Sequence, residues 1–296
     1  MTPPRQVLPD TAIEITQRTI GRAFRFLPQR EISQLVLYVL GVAASRYDIG
    51  LYGFALLVTH YHLAILDRLG NFPEFVQYMN SLIARAMNTL QSENDKLWSG
   101  SGYVAVRPHT GDDLLRKIVY GLANPAAAGL VNRLEDFPGL VLTPDDIGRT
   151  IEVDRPRFFF REDGVMPDKV TLRFEIPPAF EHLGLDGYRK LLWEQLREKE
   201  REHRVERRAA GRSVVGRKRL MQAGLGQRST SWERWFTMRP TIAAKLRADR
   251  IAAILALRSF RASYREAWRR WRGGEREVTF PVGSWWLPRY AGATTG

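Results

Sequence analysis

Apolar and polar positions alternate over residues 11–18, TAIEITQR, a period of two that predicts a strand. Residues 30–47 switch to helical spacing, with an apolar stripe through Ile32, Leu35, Val39 and Val42. The run IGLYGFALLVTHYHLAIL (49–66) is β-rich and long enough for two strands, with a break around Val58–Thr59. Helical spacing returns over 72–91 through Phe75, Met79, Leu82, Ile83 and Met87. LWSGSGYVAVR (97–107) reads as a glycine-rich turn entering a short strand. Thr110-Gly111-Asp112-Asp113 has a capping box's form, an acid three residues after threonine, and opens a helix predicted to stop near Asn124–Pro125. This order predicts an α+β fold, a ferredoxin-like antiparallel sheet with helices on one face.

Beyond residue 135 proline and glycine thicken. Two or three short strands are expected over 151–178, around PRFFF and VTLRFEIP. A charged helical stretch follows at 187–222, then a loop at 223–231. A second helical stretch, 240–272, carries Ile251, Ile254, Leu255 and Leu257 as a stripe expected to face a core. The tail contains SWWLPRY, read as packing, and no internal repeat is visible. The expected organisation is a first domain over 1–135, a connecting segment over 136–186 and a basic, mainly helical region over 187–296.

Charge changes this picture once it is located. Residues 1–150 hold 14 Lys and Arg against 14 Asp and Glu, so the whole excess of +13, 31 against 18, lies in residues 151–296. A basic excess confined to one half points to a surface for a polyanion beside a neutral module. The absence of cysteine excludes disulfides, thiolate metal sites and cysteine nucleophiles. No apolar run reaches the roughly 18 residues of a membrane span, and the first residues lack a secretory layout, so a cytoplasmic protein is expected.

The chain has five histidines, and two of them, His60 and His62, stand one residue apart in an apolar run. On a strand they share a face, with Tyr61 opposite. Neutral imidazoles ligate divalent metals, but two ligands do not close a site, and two hydrogen-bonded histidines on a sheet face fit as well. In DDLLRKIVYGLANPAAAGLV, Leu115, Ile118, Val119 and Leu122 make the core stripe, and Tyr120 and Asn124, four apart, share a neighbouring face. A phenol and a carboxamide there fit a nucleophile and an oxygen ligand, or a half-buried tyrosine and a helix-terminal asparagine. No carboxylate is expected beside the histidines: Asp67, five residues after His62, falls on the opposite strand face, which disfavours a hydrolase that activates water.

THYHL followed some sixty residues on by LLRKIVYGLANPAAAGLV resembles the HUH single-tyrosine transposases, especially the REP-associated tyrosine transposases, over about residues 10–135. Their pattern is a His-hydrophobic-His strand and a Tyr-x-x-x-Asn-Pro helix, met here by His60, His62, Tyr120, Asn124 and Pro125, with Ala128-Gly129-Leu130-Val131 after them. The chain departs from it in Val58-Thr59 before the first histidine and in Tyr61 between the two. The resemblance implies that His60, His62 and Asn124 hold Mg²⁺ or Mn²⁺ against a scissile phosphate. It implies that Tyr120 attacks to give a 5′-phosphotyrosine link, with single-stranded or hairpin DNA as substrate and action at a bacterial nucleoid. A homodimer is compatible with it, Tyr120 then serving its own or its partner's histidine pair. The competing expectation is a protein of the same fold that binds hairpin DNA or RNA without cutting it.

Candidates for DNA contact are Arg18, Arg22 and Arg25 after the first strand, and Tyr103 and Arg107, with Trp98, in the next glycine-rich segment. Between Arg197 and Arg219 ten Lys and Arg face four Glu. The mixed part, LREKEREHRVERR, reads as a solvated, salt-bridged face, whereas GRSVVGRKRL is purely basic and offers Arg217, Lys218 and Arg219 to phosphate. Arg265, Arg269 and Arg272 form a cationic ridge flanked by Trp268 and Trp271. The basic half reads as a DNA-gripping appendage or as a helical scaffold packed on the first domain.

Overall fold

A computed structural model describes residues 4–229 and 240–296, so residues 230 and 231 of the expected loop lie outside the described part. The first half is the series β1 (Thr11–Arg18), α1 (Arg30–Tyr47), β2 (Ile49–Leu57), β3 (His60–Asp67), α2 (Phe72–Gln91), β4 (Val104–Pro108) and α3 (Gly111–Leu122). The strands form one antiparallel sheet in the order β2-β3-β1-β4, the ferredoxin-like arrangement. The break between β2 and β3 is a two-residue turn at Val58–Thr59. It is pinned from the side by Thr19, whose backbone N–H donates to Thr59 O at 2.8 Å, and by Phe26, which donates to Val58 O at 3.1 Å.

Alternation assigns the two faces. Tyr61, whose hydroxyl donates to Asn80 on α2 at 3.0 Å, points to the face covered by α1 and α2. His60 and His62 point to the other, which α3 crosses. The pair α1 and α2 covers one face, and α3, which ends the series, lies across the opposite one. Gly121 makes the close approach: a Cβ there would meet His62 Cβ at 3.1 Å. A bulge between Leu51 and Gly53 lets Gly53 pass under Ile118 of α3 in the same way. Thr110 and Asp113 close the capping box that starts α3, and a one-turn α4 (Asn124–Ala127) follows it. Asp67 is buried on the far face and caps α2, accepting the backbone N–H groups of Asn71 and Phe72 at 2.9 and 3.0 Å.

The second half packs onto this frame. A two-stranded sheet of β5 (Thr150–Asp154) and β6 (Lys169–Arg173) lies on α1, where Gly41 admits Val170. PRFFF joins the two as turns rather than a strand, because Tyr38 and Phe159 take Phe160 into the core. In α5 (Gly184–Ala209) Tyr188, Leu192 and Leu196 enter the same hydrophobic core that begins at Val7. Its outer face carries part of the expected ladder, Lys199–Glu202, Arg201–Glu198 and His203–Glu206, but Glu200 and Arg207 of the stretch expected to be solvated are buried, Glu200 accepting the Leu134 N–H at 2.6 Å and Arg207 donating to Ala126 O at 2.9 Å. The predicted helix over 187–222 is broken, since Gly211 and Gly216 have φ of 64° and 84° and divide α5 from a short α6 (Arg217–Met221).

A segment 240–246 adds β7 (Ile242–Ala243) parallel to β4 at the sheet edge. It leads into α7 (Arg247–Arg272), then β8 (Thr279–Phe280), α8 (Trp286–Ala291) and β9 (Thr294–Thr295). The α7 stripe differs from expectation: Ile251, Ile254 and Leu255 are 47%, 38% and 55% exposed, and the helix rests instead on Ala253, Phe260 and Ala267. The tail docks through Trp285, whose Nε1 donates to Glu74 at 2.8 Å, and through Arg289 on the same carboxylate. Among the described residues no helix is long and apolar enough to cross a membrane.

Candidate active site

Register brings the chemistry together. In the β1–β3 ladder His60 lies opposite Arg18 and His62 opposite Thr16, so all four share the face under α3. The His60 and His62 rings stand 5.0 Å apart, and the Tyr120 ring stands edge-on to His62 at 5.3 Å. Asn124, one helical turn after Tyr120, is buried and hydrogen-bonds the His60 ring. Two strand residues and two helix residues, some sixty positions apart, therefore meet in one place. Tyr120 is 51% exposed, so a substrate has access to it.

The two imidazoles have different surroundings. His62 is buried, and its Nδ1 donates to Glu14 Oε1 at 2.8 Å, with Thr16 Oγ1 3.0 Å away. Burial pushes Glu14 up, but the His62 hydrogen bond and the charges of His62 and Lys117 outweigh it and hold the carboxyl below its ordinary range. An ionised carboxylate only accepts, so Nδ1 carries the hydrogen toward Glu14 and Nε2 is the ring nitrogen left over for another partner. That Nε2 is buried and without a hydrogen-bond partner. For His60, desolvation, then the neighbouring His62 and Arg18, lower the pKa to about 3, so the ring is neutral at physiological pH.

Glu14 corrects the expectation that no carboxylate stands near the histidines. Its signal lay in the alternation of β1, which sends Glu14 and Thr16 to the face opposite Ile13 and Ile15; the partner becomes visible only with the register. Lys117 is a second such residue, its ammonium 5.5 Å over the Tyr120 ring. Desolvation of the phenol and the charge of Glu14 push Tyr120 above its ordinary value, while Arg18 pulls it back.

The donor set available to a cation is two imidazoles and one carboxamide. Among the described residues no group of three or more His, Cys, Asp or Glu side chains is placed to hold a metal. The orphaned Nε2 of His62, the neutral His60 and the oxygen of Asn124 nevertheless match a borderline N,N,O set of the kind Mn²⁺ and, less well, Mg²⁺ accept.

The expected DNA contacts separate into groups. Arg18 and Arg22 lie close enough to His60 to depress its pKa, and Arg22 Nη2 donates to Ser229 Oγ at 2.7 Å. Residues 224–229 run back along this edge, with Phe24 N–H donating to Gln227 O at 2.6 Å and the Arg228 guanidinium against Gly21. Arg228 thus joins the basic rim, a residue the sequence did not single out. Arg217, Lys218 and Arg219 are exposed on α6, which Leu220 anchors against Val131 and Phe137 just past the tyrosine helix.

Arg25 departs from its expected role. It is buried and donates to Gln91 Oε1 and Asn88 Oδ1 of α2 at 2.6 and 3.0 Å, a strut rather than a phosphate contact. Trp98 likewise packs on Phe26 and Tyr61. Tyr103 and Arg107 lie on the sheet face away from the histidines, because Val104 and Val106 take the near face opposite Thr16 and Glu14. Arg265, Arg269 and Arg272 are exposed along α7, Arg269 paired with Glu266 and Arg272 5.1 Å over Trp268.

No protein-family model and no curated protein matches the chain. Among solved structures it is similar to a REP-associated tyrosine transposase bound to a REP hairpin, at 14% identity and a TM-score of 0.40, over 46% of this chain and 78% of that one. It is also similar to a candidate transposase from Deinococcus radiodurans R1, at 17% identity and a TM-score of 0.28, over 36% of this chain and 85% of that one. The first of these is a solved member of the group that the motifs resemble.

Proposed function

We propose that this chain is an HUH-type tyrosine transposase, mobile or domesticated, that nicks and rejoins single-stranded or hairpin DNA through a 5′-phosphotyrosine on Tyr120. The observation that supports the reading is the buried, unpartnered Nε2 of His62, fixed by Glu14 and standing with His60 and Asn124 beside an accessible Tyr120. A buried nitrogen left unpaired costs free energy, and a bound cation would recover it. His60, His62 and Asn124 would hold Mg²⁺ or Mn²⁺, which when bound polarises a phosphoryl oxygen and aligns the phosphate.

The chain's own residues do the rest. Glu14 and Thr16 hold the His62 ring. Arg18, Arg22 and Arg228 lay a cationic edge along which a phosphate backbone can run. The Tyr120 oxygen attacks phosphorus, the P–O3′ bond breaks, and a free 3′-hydroxyl leaves. The phenol gives up its proton on attack and the leaving 3′-oxygen takes one up; burial and the charge of Glu14 resist the phenol's loss, and the Arg18 guanidinium favours it. Return attack by a 3′-hydroxyl expels Tyr120 and rejoins the strand without ATP.

The test is an end-labelled single strand incubated with Mn²⁺, followed by polymerase extension of the products. A free 3′-hydroxyl end that extends, and that disappears in Tyr120→Phe and in chelator, is expected. Cleavage that persists in Tyr120→Phe would mean an activated water and would overturn the assignment.

A further inference from the structure

On the sheet face away from the histidines, β7 and α7 close over the edge of β4 and leave an open cleft. Its walls carry three guanidiniums, Arg5, Arg107 and Arg261, and among the described residues its lining includes no carboxylate. Its apolar floor includes Ile13 and Phe72 from the main core and Leu257 from α7.

The three arginines come from distant parts of the chain and each is positioned. Arg5 Nη2 donates to Tyr103 O at 3.2 Å, and its guanidinium carbon lies over the Tyr103 ring at 3.9 Å from the centroid. Arg107 is fixed by the β4–β7 ladder, its backbone N–H donating to Thr241 O at 2.9 Å. Arg261 Nε is buried and has no hydrogen-bond partner. Gathering three cations with no carboxylate among the described lining residues, and burying an N–H unpaired, are both unfavourable unless a ligand supplies the anion.

We propose that this cleft binds a nucleotide, its phosphate on the three guanidiniums and its base on the apolar floor. Planar forked donors match phosphate oxygens, and an apolar, aromatic-edged floor matches the face of a base. The nucleotide is part of a DNA strand held on the sheet face opposite Tyr120, so the chain grips its substrate at a second place.

The test is equilibrium binding by the full chain, in chelator so that no nicking is needed; failure of the Tyr120 reading would leave it intact. The probes are a fluorescent 20-residue oligodeoxythymidine, followed by anisotropy, and free 5′-dTMP, followed by the shift in melting temperature. Arg107→Ala and Arg261→Leu should each weaken oligonucleotide binding about tenfold and flatten the log–log salt dependence by roughly 0.7. Arg261→Lys should recover part of the loss, and Arg161→Ala, the same charge change on a distant exposed loop, should stay within about twofold of the parent. A melting shift with 5′-dTMP that Arg107→Ala abolishes, with oligonucleotide binding unchanged, would keep the nucleotide site and assign it to a free nucleotide. Equal losses in Arg161→Ala, or no loss with either probe in Arg107→Ala and Arg261→Leu, would overturn the proposal.

Discussion

Glu14 is an acid on a strand whose side chain has only the space under α3 to enter, and His62 gives it a partner there. If that hydrogen bond fixes the His62 ring for ligation, Glu14→Gln should weaken Mn²⁺ binding 10- to 100-fold, read as free Mn²⁺ by paramagnetic resonance, with the fold retained. Unchanged affinity would reduce Glu14 to a packing role. Arg25 makes the opposite case, a cation that looked fit for phosphate and is spent inside the molecule on Gln91 and Asn88. Arg25→Ala should cost about 1–3 kcal/mol of stability in denaturant while leaving DNA affinity intact; a loss of affinity at full stability would contradict that. At this scale the sequence showed what depends on short spacing. His60 with His62, and Tyr120 with Asn124, follow from the periods of a strand and a helix. Glu14 was hidden because its contact spans 48 residues and depends on the β1–β3 register.

The elements themselves were mostly legible, since β1, α1, the β2–β3 hairpin, α2 and the capped α3 all carry their own periodicity and stop signals. What covers each face was less so. The α7 stripe has helical spacing, yet Ile251 and Leu255 face outward, because periodicity says which residues share a face and not what lies against it. The long helix over 187–222 failed at two glycines whose positive φ no composition of neighbours announces. The α3–sheet contact is the element on which the site turns. Gly121 lets α3 settle against His62, so Gly121→Val should lift the helix and shift Tyr120 from the histidine pair. About 1–3 kcal/mol of stability and roughly a hundredfold in strand cleavage should be lost, checked by urea denaturation and single-turnover cleavage. Retained cleavage at reduced stability would show that Tyr120 is not positioned by this approach.

Across the whole molecule, the charge balance read from the sequence turns into geography. The neutral first half supplies the histidine site, and the basic second half divides between α5, tied into the common core, and segments that return to the site edge or close over β4. The alternatives of appendage and scaffold were both partly visible, because α5 packs through Tyr188, Leu192 and Leu196 while its outer charges pair with one another. If affinity comes from the basic surfaces and reaction from the histidine site, His60→Ala should abolish metal-dependent cleavage and leave single-strand affinity within about twofold, with the salt slope unchanged. Equal loss of binding and cleavage would contradict that division. The most direct measurement is mass spectrometry of the protein after incubation with single-stranded DNA and Mn²⁺, followed by nuclease trimming and proteolysis. A nucleotide remnant on the peptide that holds Tyr120 is predicted. A remnant on another residue, or none on protein that has bound and cut the strand, would contradict a tyrosine-linked mechanism.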